Sequence, residues 1–187
     1  MRRSRSRVKV RGFFRIHLLE DGRVVGDSGW QRNTVVNLGF SHYLVDLLGI
    51  GANSKQISRM MLGTGTAPGA TDTGLNGELN TATYTRTTVT FANVSSKTAR
   101  FTASFNSANS HITAAVTLQN IGVINNTTSA GTLMAGNTYA TSQWNTNQDV
   151  NCTYELQFAV YILFSLPFIS YLAPKIMNAI SMASWLI

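Results

Sequence analysis

The side chains that could do acid–base, nucleophilic or metal chemistry are few in this chain and widely spaced. His17, His42 and His111 lie far apart and show no metal-ligand spacing, so we expect each of them at the surface of a strand or helix. Cys152 is the only cysteine, so no intrachain disulfide can form, and no local nucleophile–base pair includes it. We therefore predict no catalytic residue, no metal ligand and no cofactor.

A glycine-rich segment beginning Gly63-Thr64-Gly65 suggests a phosphate-binding loop, but the pattern is incomplete. It lacks the Lys-Ser/Thr pair of a P-loop and the third spaced glycine of a dinucleotide fingerprint. Asp72 and Glu78 flank the following loop, and paired-carboxylate chemistry, cation binding and simple solvation all remain open for them. We predict a loop with a demanding backbone conformation, for which a subunit contact is one role.

Basic residues are concentrated at the N-terminus. The net charge of the 187 residues is +7, but six of the fifteen Lys and Arg residues precede residue 12, leaving nine to face eight acidic residues. We predict a basic arm over residues 1–11 that contacts a polyanion or an acidic partner without reading sequence, a solvated tail being the alternative. Its charged residues are Arg2, Arg3, Arg5, Arg7, Lys9 and Arg11.

The rest of the composition predicts one domain with an unusually uncharged surface. Only 12% of the residues are charged, about half the usual share, while 44% are hydrophobic. Ser, Thr, Asn and Gly must then cover much of the surface. A surface of this kind suits a subunit that is packed against other subunits.

One short helix is predicted over about residues 38–48. Asn37 is a suitable N-cap, and Gly49 stands where a left-handed C-cap residue belongs. The helical spacing places four apolar residues on one face, and these are Phe40, Leu44, Leu47 and Leu48.

Strand patterns dominate the remainder of residues 12–159. Asp21-Gly22 favours a tight hairpin, and the later strands are rich in Thr, Val, Tyr and Phe. The pattern predicts a mainly β fold, an antiparallel sandwich or barrel-like domain with one short helix. The predicted strands are 8–19, 23–25, 30–36, 57–62, 81–93, 98–105, 112–124, 132–139 and 149–159.

An apolar C-terminal segment follows over residues 160–187. No charged residue lies between Leu156 and Pro174, a stretch of about the length that crosses a bilayer. Four roles stay open for this segment: an oligomer interface or a site within a particle, a membrane insertion, an extra core element, or an irregular terminus.

The middle of the chain, about residues 30–159, resembles a family of small bacteriophage virion proteins, often labelled minor tail or tail-fibre proteins. The most specific part is an LGTGTxxP loop that follows the short helix and precedes further strands and a closing strand. Gln119-Asn120 replaces the family's acidic–small pair, and the apolar C-terminal segment extends past the family's usual end. The segments that carry the resemblance are 33–39, 61–68, 70–75, 118–125, 131–135 and 150–158.

The resemblance implies a virion location, with assembly in the cytoplasm of a bacterial host, and it brings no catalytic residues. We predict a structural subunit without catalytic activity, a tail or fibre component or a capsid decoration. It packs against other virion proteins and copies of itself, in a closed symmetry such as a trimer. A membrane-anchored protein and a glycan hydrolase are the alternatives. Aromatic residues dominate interface energetics, so the predicted anchors are Trp30, Phe40, Trp144, Phe164, Phe168 and Tyr171.

Overall fold

The computed structural model of the protein describes residues 5–49, 54–79, 81, 83–127 and 131–163. Within these residues the chain forms ten strands that belong to one sheet, together with one helical segment and a 3₁₀ turn at Ser107–Asn109. The strands are β1 (Arg5–Glu20), β2 (Arg23–Asp27), β3 (Gln31–Val35), β4 (Arg59–Gly63), β5 (Thr87–Thr88), β6 (Thr90–Ser95), β7 (Thr98–Phe105), β8 (Val116–Ile124), β9 (Leu133–Trp144) and β10 (Gln148–Leu163).

The sheet is antiparallel and nearly closed, which confirms the predicted mainly β, barrel-like fold. Its strand order is β5-β4-β8-β9-β3-β1-β10-β7-β6, and β2 pairs with β1 beside this path. The two ends of the path, β5 and β6, are separated in the chain by Val89 alone. A single stretch of backbone therefore supplies both ends of the sheet, which brings those ends round toward each other.

The hairpin between β1 and β2 forms where Asp21-Gly22 predicts it. Both residues have positive φ, 49° and 74°, as a two-residue turn of this hand requires, and Glu20 pairs with Arg23 across it. β1 begins at Arg5, earlier than the predicted start at residue 8. Residues 5–11 of the predicted basic arm therefore belong to a strand.

The helical segment consists of α1 (Asn37–Phe40), a π-helical turn (Ser41–Val45) and α2 (Asp46–Gly49). The predicted apolar face is wrong at Leu48, which is 90% exposed, and at Phe40, which is also exposed, whereas Leu44 packs against the core. The buried side is formed instead by Gly39 and Tyr43. A π turn adds a residue to the helical repeat, so the apolar spacing no longer follows a regular α-helix. The predicted N-cap is also wrong, since Val36 takes that position without a side-chain hydrogen bond.

Strand β4 is buried on both of its faces. Met60 and Leu62 point into the larger core cluster, whereas Met61 points into a second cluster that includes Leu75 and Leu133. Residues of alternating parity on a strand face opposite sides of a sheet, so a second layer of chain must cover the outer face of β4.

Trp144 belongs to the larger core cluster, and this corrects its predicted role as an interface anchor. Its side chain is 1% exposed, and its indole Nε1 donates to the carbonyl of Gln148 at 2.8 Å. The ring of Phe105 meets it edge to face. A side chain enclosed in this way stabilises the fold and offers no surface to a partner.

The chain divides into two compact units. One contains residues 1–9 and 159–187, of which the structure describes the first residues of β1 and the last residues of β10. The other is the β-domain, Val10–Phe158. Most of the apolar C-terminal segment, residues 164–187, lies outside the described residues, and so do the predicted anchors Phe164, Phe168 and Tyr171.

Candidate functional site

The glycine-rich loop of residues 64–77 is tied together at its base. The Thr64 N–H donates to the Gly77 carbonyl at 2.8 Å, and the Leu79 N–H donates to the Leu62 carbonyl at 3.0 Å. Gly63 and Glu78 form an antiparallel bridge. The loop thus leaves the end of β4 and returns to the same place, which allows it to fold back over the sheet.

The far side of this loop is attached to two neighbouring elements. The Leu133 N–H of β9 donates to the Thr73 carbonyl at 2.8 Å, and the Asn37 N–H of α1 donates to the Ala70 carbonyl at 2.7 Å. Leu75 packs into the second core cluster beneath the loop. The loop is therefore the outer layer that covers β4, β8 and β9.

Asn120 of β8 holds the loop from below. Its side chain is fully buried, and its Nδ2 donates to the carbonyls of Asn76 at 2.6 Å and Thr66 at 3.1 Å. The sequence marked this position only as a departure from the family pattern. The available signal was the amide pair Gln119-Asn120 within an otherwise apolar run, because a buried polar side chain needs partners.

Close backbone packing explains the loop's glycines. A Cβ atom at Gly65 would clash with the carbonyl of Asn76. Gly77 has a φ of +62°, and a Cβ there would lie 2.6 Å from the Gly65 backbone nitrogen. The predicted demanding conformation is confirmed, and a subunit contact at this loop remains a prediction.

The carboxylates of Asp72 and Glu78 accept hydrogen bonds from different donors. Asp72 Oδ2 accepts from the Gly69 N–H at 2.9 Å and so closes a small turn. Glu78 accepts two hydrogen bonds from Arg86, at 2.6 and 2.7 Å, and Arg86 also donates to the Asn126 carbonyl. The carboxylate of Glu78 raises the pKa of the buried Arg86 guanidinium. These contacts give both carboxylates a role in holding the loop.

His111 and Cys152 lie in the core. His111 packs against the rings of Tyr84, Phe105 and Trp144, and neither of its ring nitrogens has a hydrogen-bond partner among the described residues. The predicted surface position of His111 is therefore wrong, and desolvation lowers its pKa. Burial raises the pKa of the Cys152 thiol far above its usual value, which disfavours the reactive thiolate.

The other two histidines lie in partly buried positions. His17 Nε2 of β1 is 3.5 Å from Asp27 Oδ1 of β2, and His42 lies in the π-helical turn. Asp27 also accepts two hydrogen bonds from Arg15, which holds the pKa of that carboxyl well below its usual range. Among the described residues no group of three His, Cys, Asp or Glu side chains could hold a metal ion.

Large apolar side chains remain exposed on the β-domain and its helical segment. Trp30 is 47% exposed and Phe40 is 42% exposed, so these two predicted anchors are accessible to a partner, and their contact with one remains a prediction. Most of the other exposed apolar residues were not predicted, because their exposure depends on which face of a strand or helix packs against the core. These apolar surface residues are Val24, Val25, Trp30, Phe40, Val45, Leu48, Phe91 and Val94.

The basic arm is described in part. Arg2 and Arg3 lie outside the described residues, and Arg5 and Arg7 lie in β1. Lys9 and Arg11 are exposed, whereas Val10 between them packs against the core. This alternation puts the two cations on the outer face of β1.

Comparison of the chain with protein-family models, with curated proteins and with solved structures finds no match. Within the described residues, every helix is too short or too polar to span a membrane.

Proposed function

We propose that this chain is a structural subunit of a bacteriophage particle, a tail or fibre component or a capsid decoration protein, which acts by packing and not by catalysis. One observation carries the proposal: large apolar side chains stand exposed on a domain that has few charges. The LGTGTxxP resemblance supports a virion location, and the antiparallel barrel-like domain provides a rigid body for such packing.

The exposed side chains supply the driving force for this packing. Burial of apolar surface contributes roughly 25 cal/mol per Å², and aromatic residues concentrate that energy. Leu48 lies near the end of α2 and is 90% exposed. Phe91 lies on β6 and is 60% exposed. We propose that copies of the chain and neighbouring virion proteins cover these residues, in a closed assembly such as a trimer.

The cations of the N-terminal strand have a proposed role of their own. Lys9 and Arg11 are exposed on β1. We propose that they contact an acidic neighbouring subunit or the phosphate backbone of the packaged genome. Such contacts depend on charge and carry no base specificity, so they should weaken as salt rises.

The experiment is to purify particles from the host that carries this gene and to quantify the chain by mass spectrometry. The proposal predicts a fixed copy number per particle that survives washing with detergent. A chain found only in host membranes or free in the lysate would contradict it. Leu48→Ser should reduce incorporation, while Thr113→Ser, a change at an exposed polar position, serves as the matched control.

A further inference from the structure

An apolar pocket of about 410 Å³ opens at one end of the β-domain. Its walls come from the π-helical turn, from the segment before β4 and from strands β6, β7, β9 and β10. The deepest residues are buried core members, Phe101, Met134 and Leu156. Barrels of about this size enclose room for one small ligand, and an apolar cavity near 150 Å³ already accepts benzene.

The pocket exists because a small residue stands between large ones. Ala99 of β7 pairs with Leu156 of β10 on one side and with Asn93 of β6 on the other. The rings of Phe91 and Phe101 lie beside it, tilted by 45° at a centroid distance of 5.5 Å. The methyl group of Ala99 is too small to fill the space that these larger residues enclose.

The opposite wall is held in place by hydrogen bonds. The Tyr43 hydroxyl donates to the carbonyl of Thr132, which keeps its ring at the wall. The Lys55 N–H donates to the His42 carbonyl at 3.0 Å, which attaches the segment before β4 to the helical turn. Since both attachments fix the wall, collapse into the space would break them.

Lys55 gives the pocket its charge preference. It is the only residue charged at neutral pH among the described residues that line the pocket, and none of the lining residues is acidic. Its ammonium forms no ion pair with a described carboxylate. A ligand that fits has an apolar body for Phe101 and Leu156 and an anionic group for Lys55.

We propose that this pocket binds a free long-chain carboxylate, its alkyl chain lying over Ala99 and its carboxylate paired with Lys55. This site does not depend on the virion role, because its walls come from a single chain. In the single chain Phe91 is 60% exposed and forms the rim past which the ligand enters, before any subunit packs over this ring.

Isothermal titration calorimetry of the full chain tests the proposal with decanoate and decyltrimethylammonium, which share an alkyl chain and differ in charge. We expect saturable binding of one decanoate per chain and binding of the cation about fivefold weaker. Lys55→Gln should abolish this difference in affinity. Absence of saturable decanoate binding to the folded protein, or an unchanged preference in Lys55→Gln, would overturn the proposal.

Ala99→Leu tests the location, because the larger side chain occupies the space. It should weaken decanoate binding more than about tenfold. Ala92→Leu on the exposed face of β6 is the matched control and should bind as the original chain does. If Ala99→Leu binds decanoate normally, or if it lowers self-association while ligand binding is unchanged, the pocket is not a ligand site.

A photoreactive fatty carboxylate bearing a diazirine keeps the location testable if Ala99→Leu does not fold. Cross-links on the original chain should map to the segments that line the pocket, with excess decanoate suppressing them; these are residues 43–44, 55–57, 91, 99–101, 134 and 156–158. Cross-links confined to other residues would overturn the proposal.

Discussion

The apolar surface of the β-domain is covered on one side of the sheet and exposed on another. On the outer face of β4, β8 and β9, the loop of residues 64–77 covers the sheet, and Met61, Ile124 and Leu133 are buried beneath it. On the side of β6, every residue of the strand is exposed, Phe91 and Val94 among them, and a pocket opens over Ala99. The first side is closed by the chain itself. No described residue covers the second side, and we propose that another molecule binds there.

The difference shows what a loop requires in order to cover a sheet of the same chain. The covered side needs close backbone packing at Gly65 and Gly77 and a buried amide at Asn120 to hold an irregular layer against a sheet. The exposed side needs none of these and is lined by ordinary strand residues. Substitutions on the covered side should therefore affect folding, whereas substitutions on the exposed side should affect binding and assembly.

The largest effect is expected from Gly65→Ala. The added Cβ meets the Asn76 backbone, which cannot move without releasing the loop, so the free energy of unfolding should fall by about 3 kcal/mol. Urea denaturation measures this change. Gly74→Ala is the matched control, because nothing lies near its Cβ, and it should change stability by less than about 0.5 kcal/mol. Equal losses in the two variants would show that the loop is not tightly packed.

Asn120→Ala should cost about 2 kcal/mol, because it leaves the carbonyls of Thr66 and Asn76 without their donor. Hydrogen exchange of the amides in residues 64–77 should rise in this variant, which thermal denaturation alone would not show. Gln119→Ala, one residue away and only partly buried, is the control. If Gln119→Ala has the larger effect, Asn120 does not hold the loop.

Much of the fold follows from local patterns in the sequence, whereas the site depends on distant contacts. The Asp21-Gly22 turn and the strand runs are local, and they predicted the hairpin and most of the strand residues correctly. Residues 83–86 and 112–115 were also predicted in strands and are not. The partners of Asn120 lie 44 and 54 residues away, so no local pattern identifies them.

The wrong predictions have physical causes of the same kind. The helical spacing assumed a regular α-helix and failed at the π turn, where Tyr43 and not Leu48 faces the core. Aromatic type alone could not separate Trp144 in the core from Trp30 at the surface. Trp30 lies just before β3 and Trp144 at the end of β9, so tertiary packing alone decides which of them is buried.

Glu78→Gln should lower stability by about 1.5 kcal/mol, because it removes the negative charge that pairs with the buried Arg86 guanidinium. This loss should depend little on salt, since dissolved ions screen a buried pair weakly. Asp27→Asn, at the exposed pair with Arg15, is the comparison, and any effect of it should fade as salt is raised. Chemical denaturation in low and high salt measures both, and strong salt dependence in Glu78→Gln would contradict the buried pair.

The smallest effect is expected from the pH dependence of His111. Its folded pKa is lowered by desolvation, so below about pH 6.5 the unfolded chain binds a proton that the folded chain does not. Stability from His111 is therefore lost as pH falls through this range. His111→Phe should reduce the loss of melting temperature between pH 7.5 and pH 5.5, as differential scanning calorimetry would show, whereas His17→Gln should not.

The central claim, that exposed apolar residues make this chain pack against other subunits, is tested most directly by sedimentation velocity of the full chain over a wide range of concentrations. The account predicts self-association that increases with concentration and is weakened by Leu48→Ser and by Phe91→Ser, with both variants still folded. A single monomeric species at every concentration, unchanged by either substitution and by addition of particle proteins, would contradict it.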